Sequence, residues 1–351
     1  MAWRTHRSSF SAPDMRAVTL SAAPPELTVV EVADPLPAAD EVLLSVTACG
    51  ICGSDLHVAA VIGEPGTILG HEIAGVVAAL GTEVDPAQWR IGQPVAARPM
   101  GGCGVCTWCT GGRPDHCATF QLAGLNRPGG FAELVALPAR ELWALPTSLT
   151  GPDQALVEPL AVARRGLRRA GLQPGETIAV IGAGPVGLAV VAWARALGAG
   201  AIVVSDPSAS RRELAVLLGA DTVVDPTTAD LAAATLEASG VLPSVVFECS
   251  GRPEQIGKAM DQVGVNGRVT VLGLCISDVP IFPFTGLSKE LDLRFSLYYG
   301  REDFTDTINA IDAGTLDPRA MITETVDLPG LPTRFAELSH HPDGGKVIVL
   351  P

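Results

Sequence analysis

From position 15 to about 146 the chain sets short apolar runs between turn formers. Strand-like stretches at 17–20, 27–30, 41–46 and 73–78 are rich in Val, Leu, Ile and Thr, with Gly and Pro between them at short intervals. Runs of that length between turn signals predict a barrel-like or sandwich-like β domain. The texture changes near Leu156. Apolar strands at 177–181 and 201–205 alternate with amphipathic helical stretches at 184–197 and 208–218, and 223–224, 245–248 and 268–272 follow as further strands. That rhythm predicts an α/β unit built on a doubly wound parallel sheet. Beyond about Phe295 the elements are short and mixed, and 346–350 (Lys-Val-Ile-Val-Leu) closes the chain as a strand. The expected organisation is a β-rich domain over 1–159, with 1–14 a disordered extension, a nucleotide-binding domain over 160–295, and a return to the first domain over 296–351.

Composition narrows the class. At 351 residues the chain is long for one core, which fits two domains. A net charge of −14 argues against a nucleic-acid binder, because such proteins displace phosphate counterions with Lys and Arg. No apolar run reaches the roughly 20 residues that span a bilayer, and no basic stripe suits an anionic membrane. The first fourteen residues are basic but carry no apolar segment of the secretory kind. A cytoplasmic protein is expected, and its eight cysteines read as free thiols or metal ligands rather than disulfides.

Gly182, Gly184 and Gly187, with Pro185 and Val186 between the last two, form a GxGxxG pattern. Alone the pattern is weak, but here a strand precedes it and a helix follows, which is the dinucleotide-binding context. Gly182 would permit the tight turn, Gly184 the approach of a pyrophosphate, and Gly187 close packing of helix on strand. Asp206 lies 19 residues past Gly187, at the end of the next strand. As a lone residue it would read as a turn Asp before Pro207; in this position it would accept both ribose hydroxyls of NAD and repel a 2′-phosphate. Arg211 and Arg212, five and six residues on, keep NADP open as the minority choice, and Arg211 is a candidate coenzyme contact either way.

Two groups of residues suit a metal. Cys103, Cys106, Cys109 and Cys117 put four thiols into fifteen residues of Gly- and Pro-rich chain, matching a closed tetrahedral zinc site. Unrelated loop thiols are the weaker alternative, and His116, beside a complete thiolate set, reads as a surface side chain. Cys52, His71, Glu72 and Glu158 are more dispersed, and each alone has a bland explanation as a core or solvated residue. Three protein ligands and one open position would make a catalytic zinc.

The segments 50–57 (Gly-Ile-Cys-Gly-Ser-Asp-Leu-His) and 70–72 (Gly-His-Glu), with the four-cysteine lobe and the nucleotide fingerprint in the same order, resemble the zinc-dependent medium-chain alcohol dehydrogenases, specifically the butanediol and sorbitol branch. The resemblance runs from about Met15 to the C-terminus. It implies a GroES-like catalytic domain beside a Rossmann domain, two zinc ions per chain, NAD, and hydride transfer between an alcohol and the coenzyme. It also implies that Cys52 and His71 ligate the catalytic zinc, and that Glu72 and Glu158 ligate the metal or stand just behind its water. Asp55 then orients the ligand imidazole, and Ser54 and His57 relay the alcohol proton to solvent.

Substrate is less legible. The segment 287–323 is similar to butanediol dehydrogenases, whereas Tyr298 stands where sorbitol-type enzymes place an Arg, which argues against long polyols. The expected substrate is a secondary alcohol or vicinal diol giving a ketone, with bulkier apolar alcohols, primary alcohols and polyols as competitors. Trp108, Phe120 and Leu122 are candidates for the pocket wall or for core packing. The resemblance further implies a homodimer or homotetramer, with the four-cysteine lobe and the coenzyme-domain edge as candidate contacts. Two other classes fit part of the pattern. One is a CxxC redox protein using Cys49 and Cys52, which would need a low-pKa thiol pair. The other is a non-catalytic nucleotide-binding protein, which would lack a ligand. If Cys52 alone is the ligand, Cys49 packs as a small buried residue.

Overall fold

A computed structural model describes residues 14–340 and 343–351. The expected extension over 1–13 lies outside the described residues. Asp14 does not belong to it: strand Asp14–Leu20 begins there, pairing Asp14 with Ala33 in a hairpin with strand Leu27–Ala33.

The two textures in the sequence become two sheets. The longest strand, Glu41–Gly50, pairs antiparallel with Glu72–Leu80, with Leu134–Pro138 and with the final strand Lys346–Leu350. Pro94–Ala97 and Leu142–Ala144 extend the sheet on one side and Ile322–Asp327 on the other. The N-terminal hairpin closes over this sheet through bridges from Ala17 to Ala132 and Thr19 to Ile68. Val18, Val42, Leu44, Ile73, Phe131 and Val349 fill the space between with almost no exposure. Alternating Val, Leu and Ile are what a half-buried pleated strand requires.

The second sheet is parallel, in the order Thr222–Val224, Ile202–Ser205, Ile178–Ile181, Val245–Glu248, Arg268–Val271, Asp292–Phe295. Its central strands are buried throughout and mostly apolar because helices cover both faces. The strand order reverses at Ile178–Ile181, whose neighbours are the next strand on one side and Val245–Glu248 on the other. A crevice therefore opens at the carboxyl ends of these strands, where doubly wound sheets bind ligands.

The expected helices run over Pro185–Ala196 and Ala209–Leu217, capped by Gly184 and Ser208. Helix Val157–Ala170, absent from the sequence reading, joins the two sheets: it packs on Pro185–Ala196 and on Arg301–Asp312. Gly171 ends it with φ 65°, the left-handed geometry of a helix stop. No helix among the described residues is long and apolar enough to cross a membrane.

Candidate active site

Strand register builds the site. Gly50 pairs with Glu72, so the residues just after one strand and just before the other meet at one end of the sheet. Cys52 leads into the short helix Gly53–His57, and His71 directly precedes Glu72. Close approach needs the glycine: a Cβ on Gly50 would lie 1.8 Å from Glu72 Oε2.

Asp55 is buried and organises both segments. Its Oδ2 accepts from the Cys52 amide at 2.9 Å, while Oδ1 accepts from the Gly70 amide at 3.2 Å and lies 3.1 Å from His71 Nδ1. With Nδ1 turned to Asp55, His71 offers Nε2 to the cleft, 3.3 Å from Ser54 Oγ. Cys52, His71 and Glu72 bring their donor atoms within 4.8 Å of one another. Burial lowers the affinity of His71 for its proton, but Asp55 and Cys52 reverse this and raise the group well above its ordinary pKa. Glu72 Oε2 is buried and unpartnered among the described residues. A thiol, an imidazole and a carboxylate with an orphaned oxygen, in a buried spot rich in negative charge, suit a zinc dication.

Glu158 lines the same cleft but is not one of that mutually close set. Burial, against the pull of His71 and helped by the charge of Glu72, pushes its carboxyl up to about 7. Lys346 is the site residue that sequence reasoning missed. Its ammonium donates to Glu72 Oε1 and to the Ile51 carbonyl, with 1% of its surface exposed. A lysine opening an otherwise apolar, buried strand was the available signal.

Cys49, the other half of the CxxC, is fully buried in its strand, and burial raises its thiol well above the ordinary value. That opposes the low-pKa pair a redox motif needs.

The four lobe cysteines also converge, with Sγ atoms within 4.8 Å of one another. Backbone amides point at the sulfurs: Cys106 N lies 3.3 Å from Cys103 Sγ, and Thr119 N 3.4 Å from Cys117 Sγ. Hydrogen bonds from Cys103 and Thr119 bring the Cys117 thiol down to about 6, whereas burial sends Cys109 up to about 12. Four convergent sulfurs with donors aimed at them fit a structural zinc. His116 stays outside, exposed, its ring tilted 52° against Trp108 at 4.8 Å.

The fingerprint faces the Cys52–His71–Glu72 cluster across one cavity of about 270 Å³, lined by Cys52, Ser54, His57, His71, Glu72 and Glu158 on one side and by Gly184, Pro185 and Val186 on the other. A Cβ on Gly187 would sit 1.9 Å from the Gly182 carbonyl, so only glycine packs there. Asp206 is buried at the strand end, its oxygens accepting from Ala183 N at 2.7 Å and Ser208 N at 2.8 Å. Pro159, Val162, Leu272, Leu274, Leu297 and Tyr298 give the cavity apolar walls. Phe120 stands behind that wall, its ring 5.4 Å from Tyr298, with Leu122 in the same cluster. Trp108 does not reach the cavity.

Residues 38–147 match the family model of the alcohol dehydrogenase GroES-like domain, and 185–313 that of the zinc-binding dehydrogenases. The chain is 36% identical to the 2-dehydro-3-deoxy-L-galactonate 5-dehydrogenase of Pseudoalteromonas atlantica, over 89% of this chain and 92% of that one. The chain belongs to the zinc-dependent medium-chain alcohol dehydrogenases. The sorbitol dehydrogenase of Bacillus subtilis is 34% identical, covering 82% of this chain and 84% of its own. Among solved structures, 2R,3R-butanediol dehydrogenase from Bacillus subtilis superposes with a TM-score of 0.86 at 27% identity, covering 96% and 99% of the two chains. A zinc-binding dehydrogenase from Sinorhizobium meliloti, bound to NADP, gives 0.87 at 31%, covering 97% and 100%.

Proposed function

We propose that this dehydrogenase interconverts a secondary alcohol or vicinal diol and a ketone, using NAD. The observation that carries the reading is the single cleft shared by the Cys52–His71–Glu72 cluster and the nucleotide fingerprint. Tyr298, standing where an Arg would suit a polyol, closes a wall with Pro159, Val162, Leu272, Leu274 and Leu297, which favours a short substrate over a long polyol. The names of the butanediol and sorbitol relatives support oxidation at a secondary carbon.

Zinc on Cys52, His71 and Glu72 would supply Lewis acidity, drawing an alcohol's pKa toward neutrality, and the dinucleotide a hydride acceptor. Asp55 fixes the His71 ring and its tautomer. Ser54, with Oγ beside His71 Nε2, takes the alcohol proton. His57, at the other end of the same short helix and exposed, passes it to solvent. The amide-bearing turn at Gly182–Gly187 and the N-terminus of helix Pro185–Ala196 hold the pyrophosphate, and Asp206 accepts the adenosine ribose hydroxyls. Leu272, Leu274 and Val186 exclude water from the reacting carbons. Cys103, Cys106, Cys109 and Cys117 hold a second, structural zinc.

A spectrophotometric screen of NADH formation over secondary alcohols, vicinal diols, primary alcohols and polyols, repeated with NADP, tests the reading. It predicts the highest kcat/KM for a secondary alcohol or vicinal diol with NAD. A clear preference for primary alcohols would contradict it. NADP is the second reading, favoured by Arg211 near the fingerprint and by the NADP-bound relative. Assembly into a homo-oligomer is also proposed: the sheet's edge strand Asp292–Phe295 ends in exposed Phe295, and helix Pro283–Lys289 beside it exposes Phe284 and Leu287.

A further inference from the structure

Just before the final strand, a carboxylate from the end of the chain reaches the coenzyme domain. Asp343 Oδ1 accepts hydrogen bonds from Ser208 Oγ at 2.5 Å and Ser210 Oγ at 2.7 Å. Next to it, Arg211 Nε donates to the Gly344 carbonyl at 3.1 Å. These partners adjoin the ribose-selecting position: the Ser208 amide is held by Asp206 Oδ1, whose other oxygen is tied to the fingerprint at Ala183. Arg211 also borders the pyrophosphate turn, with Nη1 3.9 Å from where a Cβ on Gly184 would lie.

We propose that Asp343 is a coenzyme-specificity residue, a second carboxylate that acts with Asp206 to disfavour a 2′-phosphorylated dinucleotide. It rests on the NAD reading above. A 2′-phosphate beside Asp206 would need hydroxyl and guanidinium donors, and Ser208, Ser210 and Arg211 at the start of the following helix are the candidates. All three are already engaged by residues 343 and 344. Arg212, the other cation here, is held by the carbonyls of Asp206 and Pro207. A phosphate would therefore have to displace one carboxylate while sitting close to another. The Ser208 and Ser210 hydroxyls bring the Asp343 carboxyl down to about 2, so it carries its charge throughout the working range.

The test measures kcat/KM with NAD and with NADP for the zinc-loaded wild type, Asp343→Asn, Asp206→Asn and the double variant. Asp343→Asn keeps the shape and removes the charge. It should raise the NADP-to-NAD ratio about tenfold, the scale of removing one like charge several ångströms from a phosphate near the surface. The gain should appear as a lower KM for NADP, with the KM for alcohol unchanged. The double variant should favour NADP more than either single one. An unchanged ratio in Asp343→Asn, in an enzyme that prefers NAD, would overturn the assignment while leaving the NAD reading intact. A wild type that prefers NADP would overturn both. Equal thermal midpoints for Asp343→Asn and wild type would show that the shift in ratio comes from charge rather than from loosening of the chain.

Discussion

Replacing Lys346 with Met tests how the buried charges at the site are balanced. Methionine keeps the length and bulk of the lysine stem but removes the ammonium that donates to Glu72 Oε1 and Ile51 O. Both partners are closed to water, Glu72 at 0% and Lys346 at 1% exposure. Glu72 Oε2 has no hydrogen-bond partner among the described residues to compensate, and the Asp55 carboxylate adds negative charge nearby. Removing one member of a buried ion pair costs about 3–5 kcal/mol, because the other is left desolvated and alone. For a domain of 150–250 residues that is a fall in Tm of roughly 6–20 °C. Thermal unfolding of the zinc-stripped protein should show the full loss. Adding zinc should restore part of it, since a dication then faces the same carboxylate. Glu72→Gln in the same chain should recover most of the stability, because no charge is left unpaired. A metal-free Lys346→Met protein within about 1 kcal/mol of wild type would refute the reasoning, as would an equal cost in the Glu72→Gln background.

Three more predictions follow from the same geometry. Cys52→Ala should abolish turnover and lower zinc content by one equivalent while NAD titration stays near wild type, and Cys49→Ala should retain activity with a stability loss of about 1–2 kcal/mol; an active, fully metallated Cys52→Ala protein would remove Cys52 from the site. Cys103→Ser should lose a different zinc equivalent, leaving Cys52 and its partners loaded, so metal analysis of the two variants should give the same count and that of the double variant neither ion. Gly187→Ala should weaken NAD binding and destabilise the coenzyme domain by at least the 1–3 kcal/mol of an overpacked core, since its Cβ would meet the Gly182 carbonyl at 1.9 Å; isothermal titration and thermal melts check both.

The sequence carried the local parts of this site and lost the distant ones. The glycine spacing at 182–187 is legible because the turn, the close approach and the helix start all lie within six residues. The four lobe cysteines are legible for the same reason. Cys52, His71 and Glu72 depend on a strand pairing, Gly50 with Glu72, that the alternating pattern suggests but does not register. Lys346 is 274 residues from Glu72 and reaches it only because the last strand pairs Ile348 with Gly50. Helix Val157–Ala170 carries Pro159 in its first turn, where proline is tolerated, and has no glycine-rich turn or strand pattern at its start to announce it. Its first turn delivers Glu158 to the cleft, which explains why spacing alone could not rank the two glutamates.

The most direct test of the central claim follows a labelled hydrogen. A secondary alcohol carrying deuterium on its carbinol carbon, oxidised by the zinc-loaded enzyme with NAD, should place that deuterium on the reduced coenzyme and yield the matching ketone, and Cys52→Ala should stop the transfer. Reduced coenzyme without deuterium, or transfer that persists in Cys52→Ala, would contradict hydride transfer at the Cys52–His71–Glu72 cleft.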